Sequence, residues 1–276
     1  MLNKLHQFYF TLINKIRRNK RKKNLITVPK QKKNYVQSSR PLMFDPIIYP
    51  PSFIYEEAKN NKYNYEILNF LNQQISEPYI EFIKKYYEEI SKSHKEFSNY
   101  IDLIKILFVI SKIIEPENYL EVGVRRGRSM SIVANNSPNC NMYGFDMWLE
   151  NYSGVENPGS VIVKEELKKA SHTGNVEFFN GDSKITIPNF KKKFPNIYFD
   201  MICIDGDHSY NGAKKDLLNV IDLLKIGGYL IFDDTNSFEH PFLSEVWKKI
   251  VKSRDNFITQ EFNEHGLGVS IAVRIF

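Results

Sequence analysis

The chain reads as an α/β protein with a seven-stranded, mostly parallel sheet whose last strand runs antiparallel, preceded by N-terminal helices. Three observations predict this. After Pro116, short apolar runs alternate with amphipathic stretches, the pattern of a parallel sheet wrapped by helices. The last two apolar runs are separated by Asn263-Glu264-His265-Gly266, a turn-sized gap that suits an antiparallel hairpin. Between residue 52 and Glu115 apolar residues recur at helical spacing instead. With 276 residues, 42 % hydrophobic and 25 % charged, the chain is long enough for one sizeable packed domain plus an accessory segment.

Residues 1–44 hold twelve Lys/Arg and no Asp or Glu, which leaves 26 basic against 32 acidic residues in 45–276. The overall charge of +6 therefore divides into an arm of +12 and an acidic body of −6. In the arm, Leu2, Leu5, Tyr9, Leu12 and Ile16 fall at helical spacing ahead of a basic block, Arg17 to Lys23. Such a segment reads equally as a peripheral membrane anchor and as a solvated tail. It fails as a secretory signal, because its positive charge follows a short apolar stretch. Pro29, Pro41, Pro46, Pro50 and Pro51 mark an extended connector ending near residue 52. The expected organisation is a basic arm and linker over 1–44, a helical segment over 45–116 and the main α/β domain over 117–276. In the helical segment, Tyr79, Phe82, Ile83, Tyr86 and Ile90 are expected on one face, as are Ile101, Ile104, Leu107 and Phe108.

Cys140 and Cys203 are too few for a disulfide framework, and Cys203 sits in an apolar run. A reducing, cytoplasmic setting is expected, with peripheral contact to the inner membrane surface if the arm anchors. Leu103 to Ile114 is too short and too interrupted by Lys105, Ser111 and Lys112 to span a bilayer.

The candidate strands are Tyr119–Val124, Met142–Phe145, Val176–Phe179, Asp200–Ile204, Tyr229–Phe232, Phe257–Phe262 and Gly268–Ile275. Ligands of open α/β sheets bind outside the carboxyl ends of the strands, and acids gather there. Glu121 precedes a glycine turn, Asp146 follows Phe145, Asp182 follows Phe179-Asn180-Gly181, Asp205 follows Ile204, and Asp233-Asp234 follow Phe232. Singly, an Asp after a strand commonly caps a helix or turns the chain. Together, so much like charge at one rim is unfavourable, and a bound cation would offset it. The first loop, Glu121-Val122-Gly123-Val124-Arg125-Arg126-Gly127, is E-x-G-x-x-x-G rather than the dinucleotide G-x-G-x-x-G. An acid with spaced glycines suits a ligand bearing an ammonium and a sulfonium and no phosphate. Glycine also recurs in such turns for steric reasons alone.

Residues 117–276 resemble a class I S-adenosylmethionine-dependent methyltransferase with a Rossmann-like sheet. More narrowly they resemble metal-dependent O-methyltransferases of small molecules and antibiotic sugars, the group of macrocin and mycinamicin O-methyltransferases and cephalosporin hydroxylase-like proteins. Two blocks carry the resemblance: Phe199-Asp200-Met201-Ile202-Cys203-Ile204-Asp205-Gly206-Asp207-His208-Ser209-Tyr210, and Leu224-Lys225-Ile226-Gly227-Gly228-Tyr229-Leu230-Ile231-Phe232-Asp233-Asp234. The resemblance implies that Glu121, Gly123 and Gly127 surround the methionine part of S-adenosylmethionine, Asp146 binds the ribose, and Asp182 and Ser183 face the adenine.

Asp205, Asp233 and Asp234 offer oxygen ligands alone, which favours Mg²⁺, or Mn²⁺ or Ca²⁺ in its place, over zinc. Such an ion would acidify an acceptor hydroxyl and hold it in line with the methyl group. His208 is the preferred general base, because its ordinary pKa suits proton removal near neutrality, and Asp207 is the competing candidate. His6, His94, His172, His240 and His265 receive no chemistry, and Trp148 and Tyr152 are read as packing. Trp148 to Ser160 reads as a mobile loop near the pocket.

The expected activity is methyl transfer to a hydroxyl of a sugar or another small metabolite, and a homo-oligomer is compatible with it. Two alternatives stand beside it. One is a metal-dependent hydroxylase of the cephalosporin hydroxylase group, which shares the Asp-Gly-Asp-His pattern. The other is an RNA methyltransferase tethered by the basic arm. The acidic body, and the absence of Asn/Asp-Pro-Pro-Tyr after the fourth strand, speak against a specific nucleic-acid partner.

Overall fold

The computed structural model describes residues 47–93, 100–150, 157–264 and 266–276. The chain divides into two compact units, 1–47 with Phe276, and 48–275. The helices and the sheet belong to the second unit, and the basic arm lies outside the described residues.

Among the described residues four helices precede the sheet: α1 (Pro51–Ala58), α2 (Lys62–Leu71), α3 (Pro78–Ser93) and α4 (Leu103–Ile114). The proline run ends by starting a helix, since Pro51 occupies the first turn of α1, where its fixed φ and missing N–H are harmless. Asp102 caps α4 by accepting the Lys105 N–H at 2.8 Å. That helix stops where Glu115 turns left-handed at φ 46° ahead of Pro116.

Seven strands and their helices then alternate: β1 (Asn118–Val122), α5 (Arg128–Asn136), β2 (Asn141–Asp146), α6 (Ser160–Lys169), β3 (Val176–Asn180), α7 (Ser183–Lys193), β4 (Phe199–Ile204), α8 (Tyr210–Val220), β5 (Leu224–Asp233), α9 (Phe242–Trp247), β6 (Phe257–Phe262) and β7 (Val269–Arg274). The strand order is β3-β2-β1-β4-β5-β7-β6, parallel except that β7 runs antiparallel to both neighbours. The expected sheet is therefore present. β1 stops two residues early because Gly123 takes φ 86°. β5 begins five residues early, passing through Gly227 at φ 81° with an irregular register against β4.

Alternation along the strands feeds two cores, one on each face. Tyr119, Met142, Met201, Cys203, Tyr229 and Ile271 pack with α1, α2, α4, α5 and α6. Leu120, Val122, Phe145, Ile202, Ile204 and Phe232 pack with α7, α8 and α9. Burying each large apolar side chain contributes about 1.5–3 kcal/mol, so a sheet covered on both faces is the favoured arrangement for these sequences.

One expectation for α3 is corrected. Its buried face is Ile80, Ile83, Tyr87 and Ile90, while Tyr79, Phe82 and Tyr86 lie on the exposed side. The Tyr87 hydroxyl explains part of this choice, donating to Asp102 at 2.8 Å. Lys105 is also fully buried, donating to the Tyr100 carbonyl at 3.1 Å. Burial pulls its pKa down to about 8, against the opposing pull of Asp102. Both cysteines are buried free thiols, and among the described residues no helix is long and apolar enough to cross a membrane.

Candidate active site

The sheet reverses its winding between β1 and β4, so the crevice outside their carboxyl ends is the place where a ligand fits. The loops after these strands touch. A Cβ at Gly123 would stand 1.8 Å from the Asp205 carbonyl oxygen, and one at Gly127 would meet Val163 of α6 at 2.4 Å. With φ of 86° and 71°, both positions need glycine for conformation as well as space.

On the β1–β3 side the acids are committed to the chain itself. Asp146 Oδ2 accepts the Val124 and Arg125 N–H groups at 2.8 Å each, and Oδ1 accepts the Trp148 N–H at 2.6 Å and Asn157 Nδ2 at 3.3 Å. It thereby shapes the glycine loop. Glu121 is fully buried and accepts from the Tyr119 hydroxyl and from Ser129 Oγ. Burial pushes its pKa up to about 8, opposed by those two hydrogen bonds, so it is mostly protonated near neutrality. Asp182 caps α7 by accepting the Lys184 N–H at 2.9 Å. Ser183 is buried, and its Oγ donates to Asp216 Oδ1 of α8 at 2.6 Å. Trp148 packs edge-on against Phe178 and donates Nε1–H to Asn180 at 2.7 Å. Tyr152 and the centre of the 148–160 loop lie outside the described residues.

On the β4–β5 side the acids share one imidazole. His208 Nε2 lies 3.2 Å from Asp205 Oδ1 and its Nδ1 lies 3.5 Å from Asp234 Oδ2. Burial alone would lower the His208 pKa, but the hydrogen bond and charge of Asp205, with the charges of Asp234 and Asp207, outweigh it and raise the pKa. Burial, then the Asp205 and Asp234 carboxylates, push Asp233 well above the usual carboxylate range. Asp234 is pushed up to about 6 by burial and Asp205, with His208 and His240 pulling the other way. Its left-handed φ of 58° is rare for a residue other than glycine, a strain often found at functional sites. Asp207 faces elsewhere: Oδ2 pairs with Lys184 at 3.0 Å and Oδ1 accepts the Ser209 N–H at 2.9 Å. Its pKa is lowered, those bonds outweighing burial, which makes it a weak base.

The expected metal site is only half met. Asp205, Asp233 and Asp234 lie near enough to repel one another, which suits a hard cation chemically. The geometry does not fit one, because the His208 ring stands between Asp205 and Asp234. Among the described residues no three His, Cys, Asp or Glu side chains are grouped to hold a metal ion.

Several residues near the rim escape the sequence reading. His240, given no chemistry, stacks edge-on to His208 at 5.3 Å. The signal for it was its place six residues beyond Asp234, just before a helix. Tyr79, from the helices ahead of the sheet, covers the Arg128 guanidinium at the start of α5, with 4.1 Å between its ring centre and the guanidinium carbon, and no local motif marks it.

The doubly wound sheet, the glycine loop and the rim of carboxylates define a Rossmann-like ligand-binding domain. Residues 120–235, which span the carboxylates at the strand ends, match the family described as a methyltransferase domain. The uncharacterized protein R132 of Acanthamoeba polyphaga mimivirus is 28 % identical over 142 residues, 48 % of this chain and 58 % of that protein. The match thus covers less than two thirds of that curated relative. Among solved structures, a Staphylococcus aureus protein with a provisional caffeoyl-CoA O-methyltransferase assignment superposes with a TM-score of 0.51 at 17 % identity, covering 77 % of this chain and 99 % of that one. The O-methyltransferase TomG of Streptomyces achromogenes, solved with S-adenosylmethionine, gives 0.50 at 15 % identity, covering 63 % and 79 %. At such identities the likeness is one of fold.

Proposed function

We propose that the protein transfers the methyl group of S-adenosylmethionine to a hydroxyl oxygen of a sugar or another small hydroxylated metabolite. The observation that carries this reading is His208, held between Asp205 and Asp234 beside the glycine loop of a methyltransferase domain. The methyltransferase match and the O-methyltransferase TomG among similar folds support it.

In the tautomer with hydrogen on Nε2, His208 donates to Asp205, and its Nδ1 lone pair, 3.5 Å from Asp234 Oδ2, would accept the proton of a hydroxyl that enters beside that carboxylate. When bound, S-adenosylmethionine would supply the methyl group, its carbon–sulfur bond breaking as the acceptor oxygen takes the carbon and adenosylhomocysteine departs. The imidazolium so formed lies between two carboxylates that stabilise it. Asp146 keeps the glycine loop in shape, and a ribose diol would take the place of its long Asn157 contact. Gly123 and Gly127 let the loop pack against Asp205 and Val163, which sets the backbone that would line the methionine part, and Asp182 would border the adenine. Ser183 and Glu121 act from behind this surface, through Asp216 and Ser129.

Calorimetric titration with S-adenosylmethionine, followed by mass detection of methylated sugar acceptors, tests the proposal; no binding would end it. No step is routed through a metal ion, since the carboxylates are not grouped for one. Chelation and Mg²⁺ addition decide that point: persistent turnover leaves charge compensation to His208, and turnover lost and then restored by Mg²⁺ adds an ion to these carboxylates.

A further inference from the structure

The segment joining α2 to α3 carries polar groups that the protein leaves unsatisfied. Gln74 is 7 % exposed, and neither its amide oxygen nor its amide nitrogen has a partner. Three residues on, Glu77 Oε1 lies 3.6 Å from Arg128 Nη1, too far for a hydrogen bond, and both atoms are buried with no other partner. The segment is nonetheless held in place. The Ile75 N–H points at both Glu166 oxygens of α6, at 3.3 and 3.4 Å, and the Tyr79 N–H donates to Glu77 Oε2 at 3.3 Å.

The position of this cluster is informative. Arg128 opens α5 directly after Gly127, and its guanidinium carbon sits 4.1 Å from the Tyr79 ring centre. The loop that ends at Gly127 follows β1 where the sheet reverses its winding, so the cluster adjoins the crevice. Native interiors rarely leave donors and acceptors unpaired, and several together mark a missing partner. A desolvated cation and anion set side by side, each short of a hydrogen bond, match a ligand that carries both charges. A carboxylate would satisfy Arg128 and the free N–H groups of α5, and an ammonium would satisfy Glu77.

We infer that Gln74, Glu77 and Arg128 bind the zwitterionic amino-acid end of the methyl donor, so that a segment ahead of the matched domain completes the cofactor site. The inference rests on the S-adenosylmethionine reading above and goes beyond it by naming residues that the motifs do not include.

The test is calorimetry on the full chain with two ligands: adenosylhomocysteine, and 5′-methylthioadenosine, which lacks the amino-acid end. Glu77→Gln and Arg128→Met are compared with the unmodified protein, with thermal unfolding as the check that each variant folds. Each variant is expected to bind adenosylhomocysteine about 10–100-fold more weakly while its affinity for methylthioadenosine stays within about twofold. Unchanged binding of adenosylhomocysteine would overturn the inference, and so would equal losses for both ligands, which would mean that the residues act through the fold. An unmodified protein that binds neither ligand would overturn the cofactor reading itself.

Discussion

The two halves of the rim set the same residue type in different hydrogen-bonding surroundings. Asp146, after β2, has both oxygens filled by four donors from its own chain, and Asp182 caps a helix. At the end of β5, Asp234 shares one imidazole with Asp205, and Asp233 and Asp234 are both pushed upward in pKa by burial and by Asp205. The difference lies in the number of N–H groups that each loop turns toward its carboxylate. A carboxylate saturated with donors organises structure; one short of them holds a proton or seeks a cation, and that is the state chemistry can use.

The comparison breaks most visibly at His208. His208→Ala should lower kcat about 100- to 10,000-fold, the range for a lost general base, with cofactor affinity nearly intact by calorimetry. An unchanged rate would remove His208 from the mechanism.

A second contrast concerns Asp216, whose Oδ2 is buried without a partner and whose pKa burial pushes up to about 6. Its folded pKa lies above the unfolded value near 3.9, so the native state binds the extra proton between the two. The contribution of this group to stability is therefore full below pH 4 and is lost as pH rises to about 6, by about 3 kcal/mol. Asp216→Asn should flatten that part of the curve, raising the unfolding temperature at pH 8 relative to the unmodified protein more than at pH 4. Parallel curves would refute the assignment.

Charge removal on the two halves should act with opposite sign. Asp146→Asn, which converts one accepting oxygen into a donor facing N–H groups, should destabilise by about 1–3 kcal/mol and weaken cofactor binding. Asp234→Asn should leave stability unchanged or raise it above pH 6, where its ionised form is penalised. Denaturant unfolding of both variants measures this, and a shared sign would dissolve the contrast between the halves.

The smallest effect is on the pH–rate profile. Proton removal requires neutral His208, whose pKa is raised, so kcat/KM should climb with pH to a midpoint above 6.5. Asp234→Asn removes one of the charges that raise it, and the midpoint should move to lower pH. A profile flat from pH 6 to 9 would argue against a histidine base.

Much of this organisation is legible in the chain because it is written in short-range patterns. Alternating apolar runs mark each strand, and the acids that end Phe145-Asp146, Ile204-Asp205 and Phe232-Asp233-Asp234 are adjacent to them in sequence. What each acid does is less legible. The donors to Asp146 come from residues 124, 125, 148 and 157, and the partner of Ser183 is 33 residues away. On α3, two sets of apolar residues compete for burial, and the aromatic set of Tyr79, Phe82 and Tyr86 lost because Tyr87 finds Asp102 in the interior.

The sequence by itself determined the strands, the antiparallel close of the sheet and the row of acids that follow the strands, since strand periodicity and chain reversal depend on neighbouring residues. Only the tertiary structure decided what each carboxylate faces: Glu121 the Tyr119 and Ser129 hydroxyls, Asp146 backbone N–H groups, Asp205 and Asp234 one histidine. Charge state is set by solvation and by donors arriving from distant segments, and those are properties of three-dimensional proximity rather than of local order.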